Sequence, residues 1–235
     1  MRPASKPVGL PVLASRDLVR QIARMLSDAI ISGRLAAGAK VAEVGVAREL
    51  GVSRAPVREA ARLLESQGLL VTRRGRGFFV RAHRPDEIDD LYDLRICIEK
   101  HAAVRASRRL TPERRDALRR QLAVLHETAA TGDPARQVEE DYRFHRLICE
   151  IAGNQRLLAL FDELASELRI VIGLIGRLYD DPQRIAATHE PLLAAIESGD
   201  AERIVAATEY HLGDAWRGVS KLVRALPGKT NGADT

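Results

Sequence analysis

The sequence predicts a mostly α fold in two units: three helices plus a β-hairpin at the N-terminus, then an all-α antiparallel helical bundle. Three observations carry this expectation. Apolar residues recur at helical spacing along most of the 235 residues, and aromatic residues, which favour strands, make up only 4%. Strand-type patterning is confined to one place, where Leu69-Leu70-Val71-Thr72 and Phe78-Phe79-Val80 flank the basic, Gly-rich run Arg73-Arg74-Gly75-Arg76-Gly77. The charge also changes sign along the chain, from +10 over residues 1–84 to −5 over residues 85–235. A basic block followed by an acidic one implies two units with different partners.

Residues 1–14 hold three prolines and are expected to form a flexible arm. Ser15 then serves as an N-cap for Leu18, Ile22, Met25, Leu26 and Ala29, which follow at helical spacing until Gly33. A second helix is expected over residues 44–50, a turn at Gly51-Val52, and a third helix from Ser53 to about residue 67, stopped by Gly68. With the hairpin, residues 15–81 have the layout of a winged helix-turn-helix. Residues 82–85 read as a linker, because Pro85 disfavours helix just before it.

Residues 86–226 show only helical patterns, and 227–235 read as a flexible tail. Candidate helices span 85–110, 111–131, 136–152, 155–179, 182–199 and 201–226, a six-helix bundle. Thr111-Pro112, Asp133-Pro134 and Asp181-Pro182 place proline at a first helical turn, where its missing N–H costs nothing. The two cysteines, Cys97 and Cys149, form no CxxC pair, and no apolar stretch has signal-peptide or membrane-spanning character. A cytoplasmic protein without a membrane partner is expected.

The third helix carries the first candidate site. Val57, Ala60, Leu63 and Leu64 share one face, while Arg54, Arg58 and Arg62 fall near the opposite one. Such a helix can dock its apolar side and present an arginine row whose planar forks hold guanine O6 and N7, or clamp a phosphate. Ser53 can cap the helix or donate to a phosphate. In the hairpin, Gly75 and Gly77 allow a tight turn, and Arg73, Arg74 and Arg76 bring charge to the DNA backbone or minor groove. The plainer alternative is a solvated basic face. One reading helix per chain, joined to a bundle able to pair, predicts a homodimer on two-fold-related half-sites.

The second candidate site lies in the acidic half. Asp141 and His145, at i and i+4, share one helical face; His189 and His211 come from two other helices. One carboxylate and three imidazoles converging in a bundle suit Zn²⁺, Ni²⁺, Co²⁺ or Mn²⁺ better than Ca²⁺, which prefers oxygen throughout. On spacing alone, an ordinary buried or surface residue is the favoured reading of each histidine. Cys149, one turn beyond His145, reads as a small packed residue and not a ligand.

The run from Glu43 to Ala60, Glu-Val-Gly-Val-Ala-Arg-Glu-Leu-Gly-Val-Ser-Arg-Ala-Pro-Val-Arg-Glu-Ala, resembles the GntR family of bacterial regulators. The resemblance implies operator contacts by Ser53, Arg54 and Arg58, with Arg74 and Gly75 in the wing. Ala61 stands where the family usually has Leu. Val44 stands near the place of a second-helix arginine that touches DNA in some members, so that contact is not carried over. Residues from about 86 to 222 are similar to the FCD-type ligand-binding domain of the FadR-like subgroup. The matching features are Asp93 to Glu99 (Asp-Leu-Arg-Ile-Cys-Ile-Glu), Asp141 with His145, Gly153-Asn154, His189 and His211. This second resemblance implies a metabolite-responsive repressor with no catalytic residues. It further implies a zinc-like ion on Asp141, His145, His189 and His211, and a small carboxylate effector near Arg95 and Asn154. Arg95 has an equal alternative as a salt bridge to Glu99, its i+4 neighbour. Two other functions stay open: a metal-dependent hydrolase with an accessory DNA-binding domain, for which Glu190 is the only obvious general base, and an architectural DNA-binding protein whose bundle is purely structural.

Overall fold

A computed structural model of the chain describes residues 15–176, 178–179 and 181–225; the expected arm and tail lie outside them. The N-terminal unit contains α1 (Ser15–Ile31), α2 (Glu43–Glu49), α3 (Arg54–Ser66) and a hairpin of β1 (Leu70–Arg73) and β2 (Gly77–Val80). Ile22, Leu26 and Ile30 of α1 pack with Val57, Ala60, Ala61 and Leu64 of α3 in one apolar cluster. Ala61 is fully buried on that face, whereas Leu63 sits at its edge. The strands pair antiparallel in the register Leu70↔Val80 to Arg73↔Gly77, so Phe78 and Val80 point into the same cluster.

The C-terminal unit is all helical: α4 (Pro85–Ser107), α5 (Pro112–Thr131), α6 (Pro134–Ile151), α7 (Gln155–Glu163), α8 (Ala165–Ile175), α9 (Pro182–Ala187), α10 (Glu190–Ser198) and α11 (Ala201–Ala225). Thr111, Asp133 and Asp181 each cap the helix that their prolines begin. Arg84 is the N-cap of α4, and its N–H donates to Glu87, so Pro85 is already helical.

Two of the six expected helices are broken. The 155–179 segment divides at Leu164, which carries neither glycine nor proline; a single i→i+3 bond from Leu164 N–H to the Phe161 carbonyl tightens the turn there. Phe161 and Leu168, on either side of that turn, are both buried. The 182–199 segment divides at Thr188-His189, because Pro191 opens α10 and cannot donate into the preceding turn. That break leaves His189 as the N-cap residue of α10 instead of a mid-helix position.

α6 runs through the bundle against α4, α5 and α8, and α11 packs along α4 and α10. Among the described residues, no helix is long and apolar enough to cross a membrane. The two units meet where the last turn of α1 lies on α8. A Cβ added at Gly173 would stand 2.7 Å from the Ile31 carbonyl oxygen, which is backbone and cannot swing aside. Gly173→Ala is therefore expected to destabilise the chain by about 1–3 kcal/mol through overpacking. Urea denaturation checks this, and an unchanged midpoint would show that the junction yields freely.

Candidate metal centre and nucleic-acid interface

α6, the α9–α10 turn and α11 each contribute one histidine to a single point. His145 Nε2 lies 3.3 Å from His189 Nε2 and 3.3 Å from His211 Nε2. Asp141, one turn before His145 on α6, places its carboxylate 3.4 Å from His189 Nε2 and 3.8 Å from His145 Nε2. Two nitrogens about 2.0–2.1 Å from one zinc ion at a tetrahedral angle lie about 3.4 Å apart, so the observed spacing suits a shared ion. His145, His189 and Asp141 are buried. Phe144 packs edge-on to His145 and His189, with centroids 5.7 and 5.2 Å away.

The far sides of the rings explain their orientation. His189 Nδ1 lies 2.9 Å from the Ile185 carbonyl, and His145 Nδ1 lies 2.6 Å from Glu99 Oε2. Each Nδ1 that faces an acceptor holds the proton, which leaves lone pairs on the clustered Nε2 atoms. Imidazole lone pairs converging beside a carboxylate repel one another unless a cation stands between them, so the donor set fits a divalent metal.

Burial pushes the His189 pKa down to about 4, and burial together with the neighbouring His189 and His145 pushes His211 well below the ordinary imidazole value of 6.5. Neutral imidazoles are the metal-binding form. In metal-stripped protein, the unfolded chain takes up protons that the folded state refuses. Stability is accordingly expected to be full above about pH 6.5 and to fall as the pH drops toward 4. Thermal melts across that range check the sign, and a stability that rises on acidification would contradict it.

Glu99 is a functional candidate that sequence reasoning treated only as a partner for Arg95. Its Oε1 accepts from Arg95 Nε at 2.6 Å while its Oε2 faces His145, so one carboxylate links the histidine cluster to the arginine. Burial alone would raise the Glu99 pKa, but the Arg95 guanidinium and His145 offset this and hold it at about 2. Helical spacing brings Arg95 and Glu99 onto one face; their link to His145 was not legible, because α6 joins them only in the fold. Arg95 lines the same cavity of about 90 Å³ as Asp141 and the three histidines. Asn154 does not line it: its side-chain oxygen accepts from the N–H groups of Arg156 and Leu157 and caps α7. Cys149 is buried in the bundle core, and burial pushes its thiol pKa up.

In the N-terminal unit, Arg54, Arg58 and Arg62 stand exposed on the outer side of α3. Sequence reasoning missed their acidic partners. Arg58 Nε donates to Glu43 of α2 at 3.0 Å, Arg54 lies 3.9 Å from the same carboxylate, and Arg62 pairs with Glu59 at 3.0 Å. Such exposed pairs are worth about 0–1 kcal/mol, so they position the guanidiniums yet release them readily. Ser53 is the N-cap residue of α3, but its hydroxyl makes no capping bond and stays available. The wing turn closes through the Arg76 N–H and the Arg73 carbonyl, with Gly75 at φ +71° and Gly77 at φ +90°, values an L side chain rarely adopts. Arg74, Gly75 and Arg76 are exposed at its tip.

Comparison with known proteins agrees with this layout. Residues 18–80 match the profile described as "Bacterial regulatory proteins, gntR family", and residues 90–214 match the FCD domain. A "Probable D-xylose utilization operon transcriptional repressor" of Paenarthrobacter nicotinovorans is 29% identical over 201 residues, which is 85% of this chain and 88% of that protein. A "Putative L-lactate dehydrogenase operon regulatory protein" of Escherichia coli strain K12 is 30% identical over 228 residues, covering 86% of each chain. The solved structure of a "putative transcriptional regulator GntR" from Rhodococcus sp. RHA1 is 26% identical, with a TM-score of 0.68 over 86% of this chain and 97% of that one. With both family profiles occupying the two structural units in order, the chain belongs to the FCD-type GntR regulators: it is a DNA-binding transcription regulator and not an enzyme.

Proposed function

We propose that the chain is a cytoplasmic, homodimeric repressor whose operator binding is governed by a small organic acid held at a divalent metal. The observation that carries this is the convergence of three histidine Nε2 atoms and the Asp141 carboxylate beside the buried Arg95. Asp141, His145, His189 and His211 would hold the ion, zinc first among nickel, cobalt and manganese by ligand type. When bound, it supplies positive charge and open coordination positions toward a carboxylate. Arg95, whose fork matches a carboxylate, orients the effector from the cavity wall. The relatives named for D-xylose and L-lactate dehydrogenase operons support a role in carbon-source use. Asn154, engaged as a helix cap, enters this reading only as a support for the α6–α7 turn.

On the DNA side, Arg54, Arg58 and Arg62 face the major groove from α3, Ser53 contacts a phosphate, and Arg74, Gly75 and Arg76 follow the backbone from the wing. Arg58→Ala is expected to cost about 1–3 kcal/mol of specific affinity and to relax discrimination, with the fold intact because no core volume is lost. Arg76→Ala should instead weaken binding to all sequences and lower the salt slope by about one. Both are read by fluorescence anisotropy on an operator selected from random duplexes. Full affinity and discrimination in Arg58→Ala would remove it from the reading surface. A panel of organic acids titrated into the operator complex tests the regulatory reading; a response to none of them would leave the bundle a purely structural pairing module.

A further inference from the structure

The buried groups around the cavity have a countable charge, and Glu99 sets it. Arg95 is positive, Glu99 and Asp141 are negative, and all three are buried. The three histidines must be neutral to offer their Nε2 lone pairs to an ion. At the mouth, Asp214 accepts from the Tyr179 hydroxyl at 3.4 Å and pairs with Arg217 at 3.3 Å, so it adds no net charge. Arg184 lies over the Tyr179 ring at 5.5 Å but is exposed, and water screens it. The buried groups of the site therefore carry one net negative charge without metal and one net positive charge with a divalent ion.

We propose that Glu99 makes the metal-loaded cavity selective for monoanionic carboxylates over dianions of the same size. The inference rests on the metal and effector reading above and names the ligand class that this reading leaves open. An uncompensated charge in a water-poor site is strongly unfavourable. A monoanion brings the enclosed charge to zero, whereas a dianion overshoots it. Glu99 is also a positioning residue, since the same carboxylate faces His145 Nδ1 at 2.6 Å and accepts from Arg95 Nε at 2.6 Å. It thereby joins ion and effector through one side chain.

Malate and its 4-amide share a skeleton and a 2-hydroxy acid head and differ by one charge, so they are the probes. Calorimetry on the full-length, Zn²⁺-loaded protein should find the amide bound at least about tenfold more tightly than malate. Glu99→Gln, loaded to the same metal content, removes one negative charge and should move that ratio toward malate by at least about tenfold. Glu99→Asp keeps the charge and should keep the preference for the amide, even where shortened reach weakens metal binding by about 10–100-fold. Equal binding of the two probes to the unsubstituted protein would overturn the proposal, as would a ratio unchanged by Glu99→Gln. Should Glu99→Gln fail to fold, the unsubstituted protein and Glu99→Asp still decide it. Absence of both metal uptake and acid binding would instead overturn the effector reading itself.

Discussion

Zn²⁺ affinity is expected to fall by more than about 100-fold in His189→Ala, beyond the about 10–100-fold typical of losing an outer-shell partner. His189 is buried at the N-cap of α10, held by the Ile185 carbonyl, and it is the histidine whose Nε2 lies nearest the Asp141 carboxylate. Alanine removes one ligand of four and the tie between the α9–α10 turn and α6. The melting temperature in the presence of Zn²⁺ should drop as well, because an ion that binds only the folded state stabilises it by mass action. In the presence of chelator, the same substitution should cost only what a small core cavity costs. Operator affinity without effector should stay unchanged, since α3 belongs to the other unit. Calorimetric Zn²⁺ titration and melts with and without chelator read both effects. Undiminished Zn²⁺ affinity in His189→Ala would remove it from the ligand set.

The second large effect is expected at Phe144, a residue with no polar chemistry. Its side chain is fully buried in the bundle core, edge-on to both His145 and His189. Phe144→Ala should destabilise the bundle by about 3–5 kcal/mol, from lost transfer energy and an unfilled cavity. That is a large share of the about 5–15 kcal/mol that holds a typical domain together. Phe144 also walls the histidine cluster from the core, so the ligand rings lose a fixed neighbour. Zn²⁺ at saturating concentration should recover part of the lost melting temperature. A substitution costing under about 1 kcal/mol would mean that the α6 core repacks around the gap.

The winged unit was largely legible because each of its elements is specified locally. Ala60 and Leu64 at helical spacing, Gly68 as a stop, and two glycines in the hairpin act within a few residues of one another. In the bundle, the break at Thr188-His189 was also written in the sequence, by Pro191, but it was hidden inside a longer apolar pattern. The break at Leu164 has no glycine or proline to signal it, so nothing local in the sequence marked it. The metal set could be suspected from the i, i+4 pair Asp141 and His145, whereas His189 and His211 join it only through the fold. The links from Glu99 to His145 and from Glu43 to Arg58 were illegible for the same reason, since these partners lie on other helices. Asn154 caps α7, a role within reach of sequence reasoning, and it is not among the residues lining the cavity.

X-ray absorption at the zinc edge on stoichiometrically loaded protein reads the ligand set of the histidine cluster itself. One ion per chain is expected, with three imidazole nitrogens and oxygen donors at about 2.0–2.2 Å and no sulfur. Addition of the effector acid should change the oxygen shell while the three imidazoles remain. No zinc uptake by the folded chain, or a shell containing sulfur or fewer than three imidazoles, would contradict that ligand set.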